Sequence, residues 1–341
     1  MHPSSPPERR QWLRQAAALA LGGLPLAQAA CAATAAPLPR IVLAGPPAIV
    51  SAPLIHMAQS NALADVAQAT EFILWRDPDQ LRVMALGRKA DVLAMPSNVA
   101  ANLYNRGAGV RLLNISTWGA LWIVTRDAQR RQLDDYRGEE IAVPFRGDMP
   151  DLMLQLLAAK QGLDLRRDLR LRYVPTPMEA LQLLLTRRVR HALLAEPAVS
   201  LALRKTQSFP IGLVAPELHR GLDVQQEWGR LFARAPRLPQ AGIAAVGAVR
   251  EQPQVLAAVQ QAYARSVAWC RAHPLECGEL MAQRIDMLTP DAVADAIATS
   301  QLDAVPAAQA RPELEFFFAQ LHARDPALLG GKLPDAGFFG V

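Results

Sequence analysis

The sequence predicts an α/β protein of two lobes, each a mostly parallel sheet flanked by helices, joined by a two-strand hinge. Three observations carry this. Short aliphatic runs alternate with amphipathic helical stretches, the alternation that builds parallel sheets covered on both faces. A pattern recurs at an offset of 99 positions: Asp77-Pro78-Asp79-Gln80 opens a helix that ends near Gly87-Arg88-Lys89 and runs into a strand at 91–95. Thr176-Pro177-Met178-Glu179 opens one that ends near Arg187-Arg188 and runs into a strand at 191–195. Two further apolar segments, 119–125 and 241–247, read as extended crossings between the halves. Lobe 1 is then 40–125 with 241–341, and lobe 2 is 126–240.

The elements follow in order. Arg40-Ile41-Val42-Leu43-Ala44-Gly45 is a short aliphatic run halted by Pro46-Pro47 and reads as the first strand. Ser51 stands in a capping place before apolar helical spacing, and 71–75 is the next strand. In the helices opened by Asp77 and Thr176, Pro occupies the first helical position, where a missing N–H does no harm. Gln80 or Glu179, three places beyond the cap, can return a hydrogen bond. Ser97 and Asn98 open a helix over 99–105. A strand ends at Val143-Pro144, and a helix begins within the loop Phe145-Arg146-Gly147-Asp148-Met149-Pro150-Asp151. The arginines of 166–172 read as the solvated face of a helix. From Pro253 onward the tail reads as helical, with Val255, Leu256, Val259 and Tyr263, and later Leu314, Phe317, Phe318 and Leu321, spaced for buried faces.

Of 341 residues, 51% are apolar and 20% charged, the balance of a globular chain rather than a disordered or membranous one. The length suits two cores. The formal net charge of +5 includes Arg9, Arg10 and Arg14, and the other arginines lack aromatic interleaving, which argues against nucleic-acid binding. Arg9-Arg10-Gln11-Trp12-Leu13-Arg14 resembles a bacterial Tat signal. The apolar stretch after it is broken by Gly22, Gly23 and Pro25 and falls short of the roughly 20 residues of a membrane helix. Residues 1–36 therefore read as a signal peptide and leader, with cleavage sites at Ala27-Gln28-Ala29, at Ala30-Cys31-Ala32 or later, and the expected location is periplasmic. Cys31 offers a lipid anchor, although Gln28 stands where that signal favours an aliphatic residue. In the body, Cys270 and Cys277 would lie about 10 Å apart on one straight helix, but Pro274 lets the chain turn back between them. A local disulfide and two buried thiols are the alternatives.

Gly87-Arg88-Lys89-Ala90-Asp91-Val92-Leu93-Ala94-Met95-Pro96-Ser97, then Trp118-Gly119, then Tyr136-Arg137-Gly138-Glu139-Glu140-Ile141-Ala142-Val143 form one ordered series. It continues through Pro177, Glu179, Ala180 and Leu181 with Glu196-Pro197, and Ala268-Trp269-Cys270 with His273-Pro274 and Glu276. Taken together these stretches resemble the periplasmic solute-binding proteins of bacterial ABC importers, type II fold, in the group that takes nitrate, sulfonates, taurine and thiamine pyrimidines. The chain departs from that pattern at Arg188-Val189-Arg190-His191, where such proteins often carry Gly-x-Val-Asp.

In such a fold the ligand sits between the lobes, outside the carboxyl ends of the strands, where helix N-termini converge and free N–H groups favour an anion or strong acceptor. Four loops qualify: 47–51, 96–98, 146–151 and 175–177. Ser51, Ser97 and Asn98 could face the ligand or serve as plain caps. Thr176 sits in its capping box. Arg146 offers a planar fork for carboxylate, sulfonate or phosphate, against a salt bridge to Asp148 or to the opposite lobe. Asp148 reads as a helix cap more readily than as a partner for a cation. Trp118 could stack on a flat ligand or wall the hinge. Glu196 could accept from an amine or pyrimidine, or pair with an arginine at the lobe junction. Arg146 against Glu196 thus decides between an anionic and an amino-bearing ligand.

The resemblance implies a monomeric binding protein that captures a small solute and delivers it to an ABC permease in the inner membrane, with no cofactor and no metal. A sensory module for a membrane receptor shares the same cleft. An enzyme on this fold, of the menaquinone or pyrimidine biosynthesis type, would need a reactive constellation. His56, His191, His219, His273 and His322 are dispersed, and no Gly-x-Ser-x-Gly or phosphate-cradling loop occurs.

Overall fold

The structure is a computed structural model that describes residues 36–208 and 217–340. The twin-arginine motif, the cleavage sites and Cys31 lie outside them. Strand β1 (Ile41–Gly45) is buried along its whole length, as an aliphatic strand in the centre of a parallel sheet must be. It pairs in parallel with β2 (Thr70–Leu74) on one side and β3 (Val92–Pro96) on the other. The crossovers run through α1 (Ala52–Gln59) and α2 (Pro78–Leu86), and α3 (Ser97–Asn105) follows β3. Short strands β4 (Val110–Leu112), β5 (Asn114–Thr117) and β6 (Leu121–Thr125) come next.

The unit then recurs. β7 (Glu140–Pro144) pairs in parallel with β8 (Arg170–Val174) and β9 (His191–Ala195), linked through α4 (Met149–Lys160) and α5 (Pro177–Leu185). Both α2 and α5 begin at a proline behind a working cap. Asp77 accepts from the N–H groups of Asp79 and Gln80 at 3.0 and 2.8 Å, and Thr176 Oγ1 accepts from Glu179 at 3.2 Å. Beyond the helices, Arg88 (φ 50°) and Arg187 (φ 59°) hold the left-handed conformation at equivalent positions, so the 99-residue correspondence persists in the backbone.

After β9 come α6 (Ala198–Gln207), β10 (His219–Asp223), α7 (Val224–Phe232) and β11 (Ala241–Val246). The tail holds α8 (Pro253–Ala272), α9 (Pro274–Ala282), α10 (Pro290–Thr299), β12 (Leu302–Pro306) and α11 (Ala307–Arg324). One sheet runs β12-β5-β11-β3-β1-β2 with β4 on β11; the other runs β10-β6-β9-β7-β8. Each parallel trio is flanked by an antiparallel strand, β11 on β3 and β6 on β9. Among the described residues no helix is long and apolar enough to cross a membrane.

Three expectations change. The stretch 166–172 is not helical: Arg170–Val174 is the edge strand β8, with Arg170 and Arg172 exposed and Leu171 and Tyr173 turned inward at period two. The tail is interrupted by β12, which pairs with β5. By sheet membership β6 lies in the second sheet and β11 wholly in the first, so the segments that join the sheets are about 118–120 and 238–240, at the start of the expected crossing 119–125 and just ahead of 241–247. The apolar run through β6 conceals this break, because strands on either side of it are equally buried.

The crossings pair with each other: Leu238 N–H donates to Trp118 O at 2.8 Å and Gln240 N–H to Thr117 O at 3.1 Å. Gln301 braces both sides of the turn, accepting from Trp118 N–H at 2.9 Å and donating to Gly119 O at 3.0 Å. Behind the hinge, Trp228 of α7 packs edge-on against Phe316 and Phe317 of α11. In the tail, Pro274 separates α8 from α9, and Cys270 and Cys277 are joined as a disulfide with Cα atoms 5.2 Å apart.

Candidate ligand-binding site

Both parallel trios end on one cavity of about 350 Å³, near the lower end of small-molecule pockets, about 300–1,000 Å³. Its walls are the segments that leave the strands' carboxyl ends. Pro46 and Pro47 follow β1, Trp75 and Arg76 follow β2, and Pro96 ends β3; Phe145 follows β7, Thr176 follows β8 and Glu196 follows β9. The connection from α9 to α10 closes one side with Ile285, Met287 and Leu288. All four loops expected from the sequence contribute residues to this lining.

Their capping side chains behave differently. Ser51 Oγ, fully buried, donates to Pro46 O at 2.6 Å, and Ser97 Oγ, also fully buried, donates to Pro239 O at 2.6 Å. A hydroxyl so close to a strand end reaches a nearby carbonyl more readily than open space. Asn98 is buried with its Oδ1 unpartnered, but it lies off the cavity wall. Trp118 walls the hinge: its Nε1 donates to Asp303 O at 2.9 Å, and the Arg237 guanidinium lies 4.3 Å over its ring. Arg146 is exposed and stacks 4.9 Å over Tyr173, outside the lining. Of the residues singled out in the sequence, Asp148, Thr176 and Glu196 reach the cavity.

Asp148 is at the N-cap of α4 without bonding its first turn; instead its Oδ1 accepts from Arg82 Nη2 of α2 at 3.0 Å, across the cleft. Burial pushes its carboxyl above the usual range, with Arg82 pulling the other way. Glu196 is the arginine-paired alternative. Its Oε1 accepts from Arg220 at 2.7 Å and from Thr299 at 3.2 Å, and its Oε2 from Ser200 N–H at 2.9 Å.

The expected ring of helix-end donors is partly taken, although α3 and α4 start without a side-chain cap bond. Prolines 78, 150 and 177 remove N–H groups from first turns. The donors of Asp79, Gln80, Glu179 and Ser200 go to the side chains already named, and Gly147 N–H donates to Asp151 at 2.7 Å. What remains is an apolar chamber with a few polar groups. Gln240 lines it at 8% exposure with its Oε1 unpartnered. Arg76 and Arg284 line it as exposed side chains with no hydrogen-bond or ionic partner among the described residues. Sequence reasoning passed over all three, although Arg76, directly after a strand and before the cap Asp77, fits the strand-end rule. Gln240 immediately precedes β11, and nothing in the sequence points to Arg284. Among the described residues no cluster of three or more His, Cys, Asp or Glu could hold a metal.

No protein-family model matches the chain, and no curated protein matches it. Solved structures do. An ABC transporter protein from Parabacteroides distasonis aligns at a TM-score of 0.70 with 21% identity, over 89% of this chain and 99% of that one. The periplasmic aliphatic sulphonate binding protein of Escherichia coli aligns at 0.62 with 13% identity, over 87% of this chain and 92% of that one. The chain has the type II periplasmic binding-protein fold. The periplasmic nitrate-binding protein of Synechocystis PCC 6803 shares it at a TM-score of 0.65 and 12% identity, over 84% of this chain and 82% of that one. The two sheets described above are the two lobes of this fold.

Proposed function

We propose that this protein is the solute-binding component of an ABC importer: a monomer outside the cytoplasm that captures a small organic or anionic solute between its lobes and presents the closed form to an inner-membrane permease. The observation that carries this reading is the shared ownership of the cavity, with strand ends of both sheets on its wall and Arg82 of one lobe meeting Asp148 of the other beside it at 3.0 Å. A partly solvated ion pair of this kind is worth about 0–1 kcal/mol. A solute touching both lobes can therefore set the hinge position through its own contacts. Two of the cavity's carboxylates, Asp148 and Glu196, are held by arginines, an arrangement suited to retaining a molecule rather than transforming it. The twin-arginine leader supports export by the Tat route to the periplasm.

Mass spectrometry of molecules that copurify with the protein, followed by X-ray scattering with each, tests the reading. A true solute should shrink the radius of gyration, and Asp148→Asn should weaken its affinity by up to about fivefold, the equivalent of about 1 kcal/mol. Scattering curves that no copurified solute changes, or chemical turnover of a bound compound, would overturn it.

A further inference from the structure

The chamber is poorly equipped for a bare inorganic anion and well equipped for an apolar body. Several of its first-turn donors are capped or replaced by proline, which leaves fewer N–H groups for an oxyanion. Its inner surface is instead built from Trp75, Met95, Met149 and Leu288, all buried. Methionines adapt to an irregular apolar outline, and the Trp75 ring is fixed by its Nε1 donating to Ala94 O at 3.3 Å. Two observations specify the polar contacts. A buried amide without a partner is destabilising, and among the described residues Gln240 is the orphaned side chain that lines this chamber. Because either end of the amide can be turned inward, Gln240 can bond a hydroxyl as donor or as acceptor. With Asp148 neutralised by Arg82 and Glu196 by Arg220, the charges left on the wall are those of Arg76, Arg284 and Asp286, a net positive lining.

We propose that the solute is an organic acid with a ring-sized apolar body: the body lies against Trp75 and the two methionines, a hydroxyl-type group meets Gln240, and the acid group is turned toward Arg76 and Arg284. This rests on the capture reading above and names its solute class. Size, charge and the hydroxyl each make a separate demand.

Calorimetric titration of the full mature chain with nitrate, methanesulfonate, benzenesulfonate, naphthalene-2-sulfonate and 6-hydroxynaphthalene-2-sulfonate reads the first. Affinity should rise roughly tenfold with the added ring, since each ring removes apolar surface from water, while nitrate and methanesulfonate give no heat at millimolar concentration. The double variant Arg76→Gln, Arg284→Gln, at exposed positions that leave the fold intact, should weaken the hydroxynaphthalene acid and spare neutral 2,6-dihydroxynaphthalene. Gln240→Met should erase the preference for the hydroxylated over the plain naphthalene acid, with circular dichroism confirming that the variant is folded. Nitrate or methanesulfonate binding as tightly as the two-ring acids, a flat series, or no binding by any ring acid at millimolar concentration would overturn the proposal. Scattering recorded on the same samples separates the two readings. Compaction by nitrate alone removes the solute class and keeps capture, whereas tight binding of ring acids without compaction removes capture.

Discussion

In lobe 1 the corner from β2 into α2 reads Leu74-Trp75-Arg76-Asp77-Pro78; in lobe 2 the matching corner, from β8 into α5, reads Val174-Pro175-Thr176-Pro177. Both end in a capped proline at the first helical turn, yet the first corner is one residue longer. That extra residue gives lobe 1 a buried indole on the cavity wall and a guanidinium beside it, where lobe 2 has only a proline and a threonine occupied by its own helix. The strands that follow differ as well. His191 and Leu193 of β9 occupy the places of Val92 and Ala94 in β3. Equal backbone frames thus carry unequal side chains, and the inequality is concentrated at the cleft and at one strand of lobe 2.

The comparison can be broken first in the core. Leu193 is fully buried, so Leu193→Ala should cost about 2–5 kcal/mol in urea unfolding. The reverse change, Ala94→Leu, forces a larger side chain into a fully buried position and should cost about 1–3 kcal/mol by overpacking. If both changes are neutral, the matched positions do not bear the packing difference assigned to them.

Next is acid sensitivity. Burial lowers the His191 imidazole from its ordinary 6.5 to about 4, helped by Arg130 and Arg190 and opposed by Glu139, while Thr125 Oγ1 holds its Nδ1 at 2.8 Å. The folded ring binds its proton less tightly than the unfolded one, so the unfolded chain takes up that proton first as pH falls. Stability should therefore be flat above about pH 6.5 and drop by on the order of 2–3 kcal/mol between there and about pH 4. His191→Gln should flatten this slope, and an unchanged slope would place the sensitivity elsewhere.

The smallest effect sharpens the corners themselves. Asp77 accepts two N–H groups and Thr176 one, so Asp77→Ala should cost about 1–2 kcal/mol and Thr176→Ala about 0.5–1 kcal/mol. Equal losses in thermal melts would show that the added residue leaves the cap energetics unchanged.

Much of the frame was readable because its signals are local. The aliphatic run of β1, the proline-led caps at Asp77 and Thr176, and the buried spacing of Tyr263, Phe317 and Phe318 each need only a few neighbouring residues. What escaped depends on distant partners. β12 is five residues that become a strand only against β5, and the apolar run through β6 hides where one sheet gives way to the other. The alternation in Arg170-Leu171-Arg172-Tyr173 points to a strand, but the density of arginines around it masks that period. At the site, loop positions followed from topology, but side-chain direction did not. Ser97 turns away to Pro239, 142 positions later in the chain, and Asp148 finds Arg82 across the cleft, pairings that no local pattern announces.

Gln301 braces a crossing, at Trp118 and Gly119, that lies 183 and 182 positions earlier in the chain. During synthesis the two crossings can meet as soon as residue 240 emerges, but the clasp that stiffens them follows 61 positions later. A chain that stops short of residue 301 can pair its crossings but lacks this brace, and it lacks β12 of the first sheet as well. Stiffness at the joint is therefore acquired after the crossings have paired, not with them.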